Sequence, residues 1–140
     1  VRVDGRDPEF GADEYPRDHL DAAGDTVWEM RDGNVERFHI DPAAYGHGHD
    51  SLEGLAVDTA QDSADLIRAA LGSRPTPAAL KARSLIALNA GAAIYVAGIA
   101  PTLREGISLA DDTIGSGLAA DKIDAFSAFA RELKTEGVVS

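Results

Sequence analysis

Cysteine is absent from the 140-residue sequence, and basic side chains are scarce. Without cysteine the chain has neither a disulfide framework nor a cysteine-based zinc site, which fits a reducing compartment. Lysine and arginine number 13 against 24 aspartate and glutamate residues, so the net charge is −11. Because such a surface repels phosphate backbones and anionic headgroups, we expect no nucleic-acid partner and no membrane docking.

Long apolar runs and phosphate-binding loops are also missing. The most apolar stretch, residues 84–100, is interrupted by Asn89 and two glycines and falls short of a membrane span. Residues 1–24 are polar and acidic, unlike a secretory signal. Neither G-x-G-x-x-G nor G-x-x-x-x-G-K-[ST] occurs, so no backbone cradle for a phosphate is visible. These absences predict a cytoplasmic protein that does not grip a phosphorylated substrate by itself.

The chain does contain enough apolar material for one core, arranged in two zones. Hydrophobic residues make up 44% of the sequence, which excludes a disordered composition. Residues 1–57 are polar with scattered glycine and proline, whereas residues 58–140 are rich in alanine and leucine. We predict a loop and β-hairpin segment at 1–57 and a C-terminal helical segment at 58–140, both parts of one incomplete α/β domain.

The clearest local signal is a β-hairpin. Residues 26–31 and 35–40 are two β-prone runs that flank Asp32-Gly33-Asn34. A two-residue loop would place Glu29 opposite Glu36, so the charge pattern favours a three-residue loop with Gly33 or Asn34 in the left-handed region. The predicted cross-strand pairs are Trp28 with Phe38, Thr26 with Ile40, and Glu29 with Arg37.

Helix start and stop signals follow one another through the second zone and predict four helices. The second helix is apolar nearly all round from Leu85 onward, so we expect it to be buried and central. The four helices are predicted from Thr59 to Gly72, from Thr76 with Pro77 in first position to near Gly98, from near Pro101 onward, and from Gly117 to Gly137.

Three of these helices carry one apolar face each. The positions expected to face inward are Ala60, Ala64, Ile67 and Leu71 in the first helix, Leu103, Ile107, Ala110 and Ile114 in the third, and Ile123, Phe126, Ala130 and Leu133 in the fourth. Two strands and a leading fragment at residues 1–3 cannot form a stable sheet alone. The helices therefore need the rest of a sheet to cover them.

Two carboxylates in the first zone are candidate metal ligands. Asp13 and Glu14 are adjacent and follow Gly11 in an acidic loop. Carboxylate oxygens suit Mg²⁺, which binds through one or two carboxylates plus substrate phosphates and keeps several waters. From the residues alone, a solvated acidic loop is the other interpretation.

A second polar cluster lies between the hairpin and the first helix. His47 and His49 could touch one metal ion, but Asp50 is poorly spaced as a third ligand, so a polar connecting loop is favoured. The acidic pair at 111–112 is expected on the solvated face of the third helix. Asn89 is expected to be buried and to hydrogen-bond to backbone.

Four segments of the helical zone carry a family resemblance. They read D-L-I-R-A-A-L-G at 65–72, A-L-N-A-G-A-A-I-Y-V-A-G at 87–98, L-R-E-G-I-S-L-A at 103–110 and T-I-G-S-G at 113–117. In order and spacing they resemble the C-terminal region of anthranilate phosphoribosyltransferases, over about residues 26–135. The resemblance implies the C-terminal part of a nucleoside-phosphorylase/phosphoribosyltransferase-like α/β domain, here a hairpin followed by about four helices.

In that family a Gly-x-Asp-Glu loop before this hairpin binds Mg²⁺ on the pyrophosphate of phosphoribosyl pyrophosphate (PRPP). Residues 11–14 resemble this loop, which implies Asp13 and Glu14 as metal ligands. The implied activity is a glycosyltransferase that moves phosphoribose from PRPP to an aromatic amine such as anthranilate, in tryptophan biosynthesis. The chain departs from the family at Ala56-Val57, where the family has Gly-Gly.

The family's phosphate loop and acceptor motifs have no counterpart in this chain. The resemblance implies that they come from a missing N-terminal half or a partner chain, and that the full-length family member is a homodimer. Three alternatives remain open. The chain could be a non-catalytic half-domain or subunit that completes such a fold, a relative with a different aromatic acceptor, or a small metal-binding module built on His47 and His49.

Overall fold

A small antiparallel sheet precedes a set of four helices in the computed structural model, which describes residues 2–4 and 25–135. The strands are ordered β1 (Arg2–Asp4), β2 (Asp25–Arg31) and β3 (Asn34–Ile40), and a 3₁₀ turn follows at Pro42–Tyr45. The helices are α1 (Ala60–Leu71), α2 (Pro77–Val96), α3 (Leu103–Gly115) and α4 (Leu118–Thr135). The predicted α/β class, with a hairpin followed by four helices, is confirmed. The division of the chain at residue 57 stays a prediction.

The hairpin turns more tightly than predicted. Arg31 pairs with Asn34 at the tip, so only Asp32 and Gly33 form the loop, with φ angles of 51° and 80°. An Asp-Gly pair with both φ values positive fits the type I′ turn, whose twist matches that of the strands. The predicted three-residue loop is therefore wrong, although Gly33 does adopt the left-handed conformation.

Apolar burial explains this register. With two loop residues, Val27 lies opposite Phe38 and shares a face with Ile40. Val27 is 1% exposed and Ile40 7% exposed. Burying such side chains stabilises the hairpin by about 1.5–3 kcal/mol each. This gain outweighs the cost of placing Glu29 opposite Glu36, which is at most ~1 kcal/mol. Trp28 lies opposite Arg37 instead of Phe38, with the guanidinium carbon 5.5 Å from its ring centre.

Local capping defines both ends of α1. Thr59 is the N-cap: its hydroxyl accepts a hydrogen bond from the Asp62 amide at 3.0 Å, and the Asp62 carboxylate accepts one from the Thr59 amide at 3.1 Å. The predicted stop at Gly72 is confirmed, although its φ of −78° is not left-handed. Leu71, expected to face inward, is buried, whereas Ile67, also expected inward, is 38% exposed and Ala70 is buried in its place.

Helices α2 and α3 touch through their backbones. A Cβ atom built on Gly106 would lie 2.3 Å from the Gly91 carbonyl oxygen, and one built on Gly91 would lie 2.5 Å from the Cα of Ile107. Both distances are far inside van der Waals contact, so only glycine fits at either position. This close approach buries Ile107 and, one and two turns further, the predicted inward residues Ala110 and Ile114.

The interior of the helical part is narrow. Leu71, Ala87 and Ile114 form its buried cluster. Four partly buried side chains pack against this cluster: Ile86, Ala119, Ala120 and Ile123. Side chains from all four helices therefore meet at this cluster, and few of them are large.

Helix α2 is not buried all round within the described part of the chain. Its buried positions are all small, and at Gly91 the backbone of α3 comes close. They are Ala79, Ala82, Ser84, Ala87, Gly91 and Ala92. The larger side chains point elsewhere, and Leu80, Leu85 and Val96 are between 41% and 56% exposed. The expectation of a fully buried central helix is therefore wrong for these residues. None of the described helices is long and apolar enough to cross a bilayer.

Helix α4 is attached by its first half. None of its residues is buried, and Phe126, expected to face inward, is 66% exposed. Ile123, also expected to face inward, does pack against the core cluster, so the predicted face is confirmed at Ile123 and wrong at Phe126. Ala119 and Ala120, which were not predicted to face inward, pack against the same cluster.

Candidate functional site

The candidate metal pair lies outside the described residues. The described sheet resumes at Asp25, eleven positions after Glu14. Two adjacent carboxylates remain a donor set that suits Mg²⁺. The assignment of Asp13 and Glu14 to this ion stays a prediction. Among residues 2–4 and 25–135, no group of three or more His, Cys, Asp or Glu side chains is placed to hold a metal.

The two histidines between the hairpin and α1 contact different helices. His47 Nε2 lies 3.0 Å from Asp111 Oδ2 on α3, and the imidazole is 9% exposed. His49 Nε2 lies 2.8 Å from Ser84 Oγ on α2, a hydroxyl that is itself buried. Each histidine thus hydrogen-bonds to a different helix. This arrangement favours the interpretation as a polar connecting loop over a metal ion shared by the two imidazoles. Asp112 is exposed as expected, and Asp111 is 41% exposed but also contacts His47, a partner that the predicted solvated face did not include.

Further contacts fasten the same segment, residues 41–55, which we call the strap. The Arg104 guanidinium donates to the Ala44 carbonyl at 3.2 Å and lies 4.7 Å from the centre of the Tyr45 ring. The Lys81 ammonium donates to the Ser51 hydroxyl at 3.1 Å and to the Glu53 carbonyl at 3.0 Å. The strap therefore crosses both α2 and α3 and carries the chain from the hairpin to α1.

A polar network joins the hairpin tip to the end of α2. The Tyr95 hydroxyl donates to Glu29 Oε1 at 2.7 Å, and the Arg31 Nε donates to the same oxygen at 3.1 Å. Arg31 Nη2 also donates to the Tyr95 hydroxyl. The hydrogen bond to Glu29, followed by burial, raises the pKa of Tyr95 above its ordinary value. This network compensates the pairing of Glu29 with Glu36 that the tight turn creates.

The network lines a shallow cleft of about 310 Å³. Its walls are Glu29, Arg31, Asp32, Asn34, Glu36 and Tyr95. Three of these side chains are acidic and one is basic, so the cleft does not suit a diphosphate. The sequence does not indicate this cluster, because Tyr95 and Glu29 are 66 positions apart.

The polar residues inside α2 have structural partners. Asn89 donates from its side-chain amide to the Leu85 carbonyl at 2.8 Å, as expected for a bond to backbone. It is exposed, however, so the expected burial is wrong. Ser84 is buried at 8% exposure and bonds to His49.

Comparison with known proteins places the chain in a family. The sequence model described as "Glycosyl transferase family, a/b domain" matches residues 13–120. That range includes the candidate metal pair, the hairpin, the strap and α1 to α3. Because the match covers well over half of the chain, the protein belongs to the glycosyl transferase family, and the matched residues are part of that family's α/β domain.

Curated relatives narrow the similarity to one kind of enzyme. The chain is 47% identical over 102 residues to the anthranilate phosphoribosyltransferase of Teredinibacter turnerae, covering 73% of the chain and 30% of that protein. It is 46% identical over 118 residues to that of Cellvibrio japonicus, covering 84% and 34%. It is 43% identical over 126 residues to that of Pseudomonas aeruginosa, covering 87% and 36%. The chain thus spans about a third of the length of the curated relatives it matches.

Proposed function

We propose that the chain is the C-terminal part of a phosphoribosyltransferase that moves phosphoribose from PRPP to an aromatic amine, with anthranilate as the acceptor. The observation that carries this proposal is the identity of 43–47% to proteins of that name. A place in tryptophan biosynthesis, a cytoplasmic location and a homodimeric full-length protein belong to the same proposal.

The chemistry defines what the site must supply. The amine nitrogen bonds to C1 of the ribose, the bond from C1 to the pyrophosphate oxygen breaks, and the nitrogen loses a proton. Negative charge develops on the departing diphosphate, so positioning and cationic stabilisation lower the barrier. Bound Mg²⁺ would supply part of that stabilisation. The contribution of this chain would be the carboxylates of Asp13 and Glu14, which would hold the ion.

Other parts of the site would come from residues that this chain does not have. A chain with a net charge of −11 and an acid-lined cleft does not attract PRPP by itself. The exposed apolar side chains of α2, among them Leu85 and Val96, offer a surface for more of the α/β domain. The phosphate loop, the basic segment and the acceptor contacts would therefore belong to a further segment or a partner chain.

A hybrid enzyme tests this proposal. The chain would be fused to the part of the Cellvibrio japonicus relative that it does not match, and loss of anthranilate fluorescence would be followed with PRPP at varied Mg²⁺. We expect turnover, and we expect Asp13→Asn combined with Glu14→Gln to raise the required Mg²⁺ concentration by at least about tenfold. Asp112→Asn, which removes an exposed carboxylate from α3, is the matched control and should change nothing.

The possible results of this experiment test the transferase activity and the assignment of Asp13 and Glu14 separately. A folded hybrid without turnover on anthranilate or any other aromatic amine would contradict the transferase proposal. Turnover with another amine alone would change only the acceptor. Mg²⁺ dependence that survives the double substitution would contradict only the assignment of Asp13 and Glu14.

A non-catalytic half-domain is the second candidate. The apolar side chains exposed on α2 favour it as much as they favour an enzyme, because either role requires a covering partner. A hybrid that melts cooperatively and binds PRPP with intact fold, yet never turns over, would select this candidate.

A further inference from the structure

We draw no further inference here: the strongest candidate, the cleft of about 310 Å³ between the hairpin tip and the end of α2, is lined by the carboxylates of Glu29, Asp32 and Glu36, and no second observation in the described residues points to a ligand for this acidic cluster.

Discussion

Replacing Gly106 with alanine would insert a methyl group where α2 and α3 touch. The new Cβ would lie 2.3 Å from the Gly91 carbonyl oxygen and 3.3 Å from the Tyr95 amide nitrogen. Both neighbours are backbone atoms, so no flexible side chain can move aside. The helices must separate, which exposes Ile107 and pulls α3 away from the strap.

The expected loss follows from two opposing effects. Overpacking a close contact costs about 1–3 kcal/mol, and a backbone-to-backbone clash belongs at the upper end. Alanine also favours helix over glycine by up to ~1 kcal/mol, which offsets part of that cost. We therefore expect Gly106→Ala to lower the free energy of unfolding by roughly 2 kcal/mol, a large share of the stability of a small domain.

Urea unfolding followed by circular dichroism would measure the change. Gly115→Ala is the matched control, because it lies in the same helix and its Cβ would meet only the Arg83 guanidinium at 3.8 Å. The control should be neutral or slightly stabilising. If Gly106→Ala unfolds at the same urea concentration as the control, the close contact between α2 and α3 is not what the structure describes.

Other perturbations test the polar contacts. Tyr95→Phe should lower stability by about 1 kcal/mol, because the Glu29 carboxylate loses its hydroxyl donor, and urea midpoints would measure this loss. The raised pKa of Tyr95 means that its stabilisation is complete below the ordinary tyrosine pKa near 10 and is lost as pH rises beyond it; urea midpoints from pH 8 to 11 should fall in the wild type and fall less in Tyr95→Phe. Thr59→Ala should cost about 1 kcal/mol through loss of the cap that Thr59 shares with Asp62, whereas Thr135→Ala, at the far end of α4, should cost much less; equal melting temperatures for the two variants would contradict the capping role.

Signals confined to a few neighbouring residues predicted the fold well. Thr76 followed by Pro77 marked the start of α2, and Gly117 marked the break before α4. These signals work because a helix end is satisfied by side chains one to three positions away. The class of the fold and the order of its elements followed from them.

Features that depend on distant residues could not be predicted in the same way. The register of the hairpin was inferred from residues of the two strands, namely the Glu29–Glu36 charges and the Trp28–Phe38 pair, but Tyr95 on α2 hydrogen-bonds to Glu29 and compensates the like charges. The spacing of Phe126 and Ile67 gave an apolar stripe without saying what would cover it. The candidate site depends on residues 13 and 14, outside the described part of the chain, so its geometry stays a prediction.

The strap has a mechanical consequence for the whole molecule. It is bound to α2 at Lys81 and Ser84 and to α3 at Arg104 and Asp111. Sliding α3 by one turn along α2 moves it about 5.4 Å, beyond the reach of any of these hydrogen bonds. These hydrogen bonds therefore hold α2 and α3 in a fixed register, and the hydrogen bond from Tyr95 to Glu29 ties the hairpin to the end of α2.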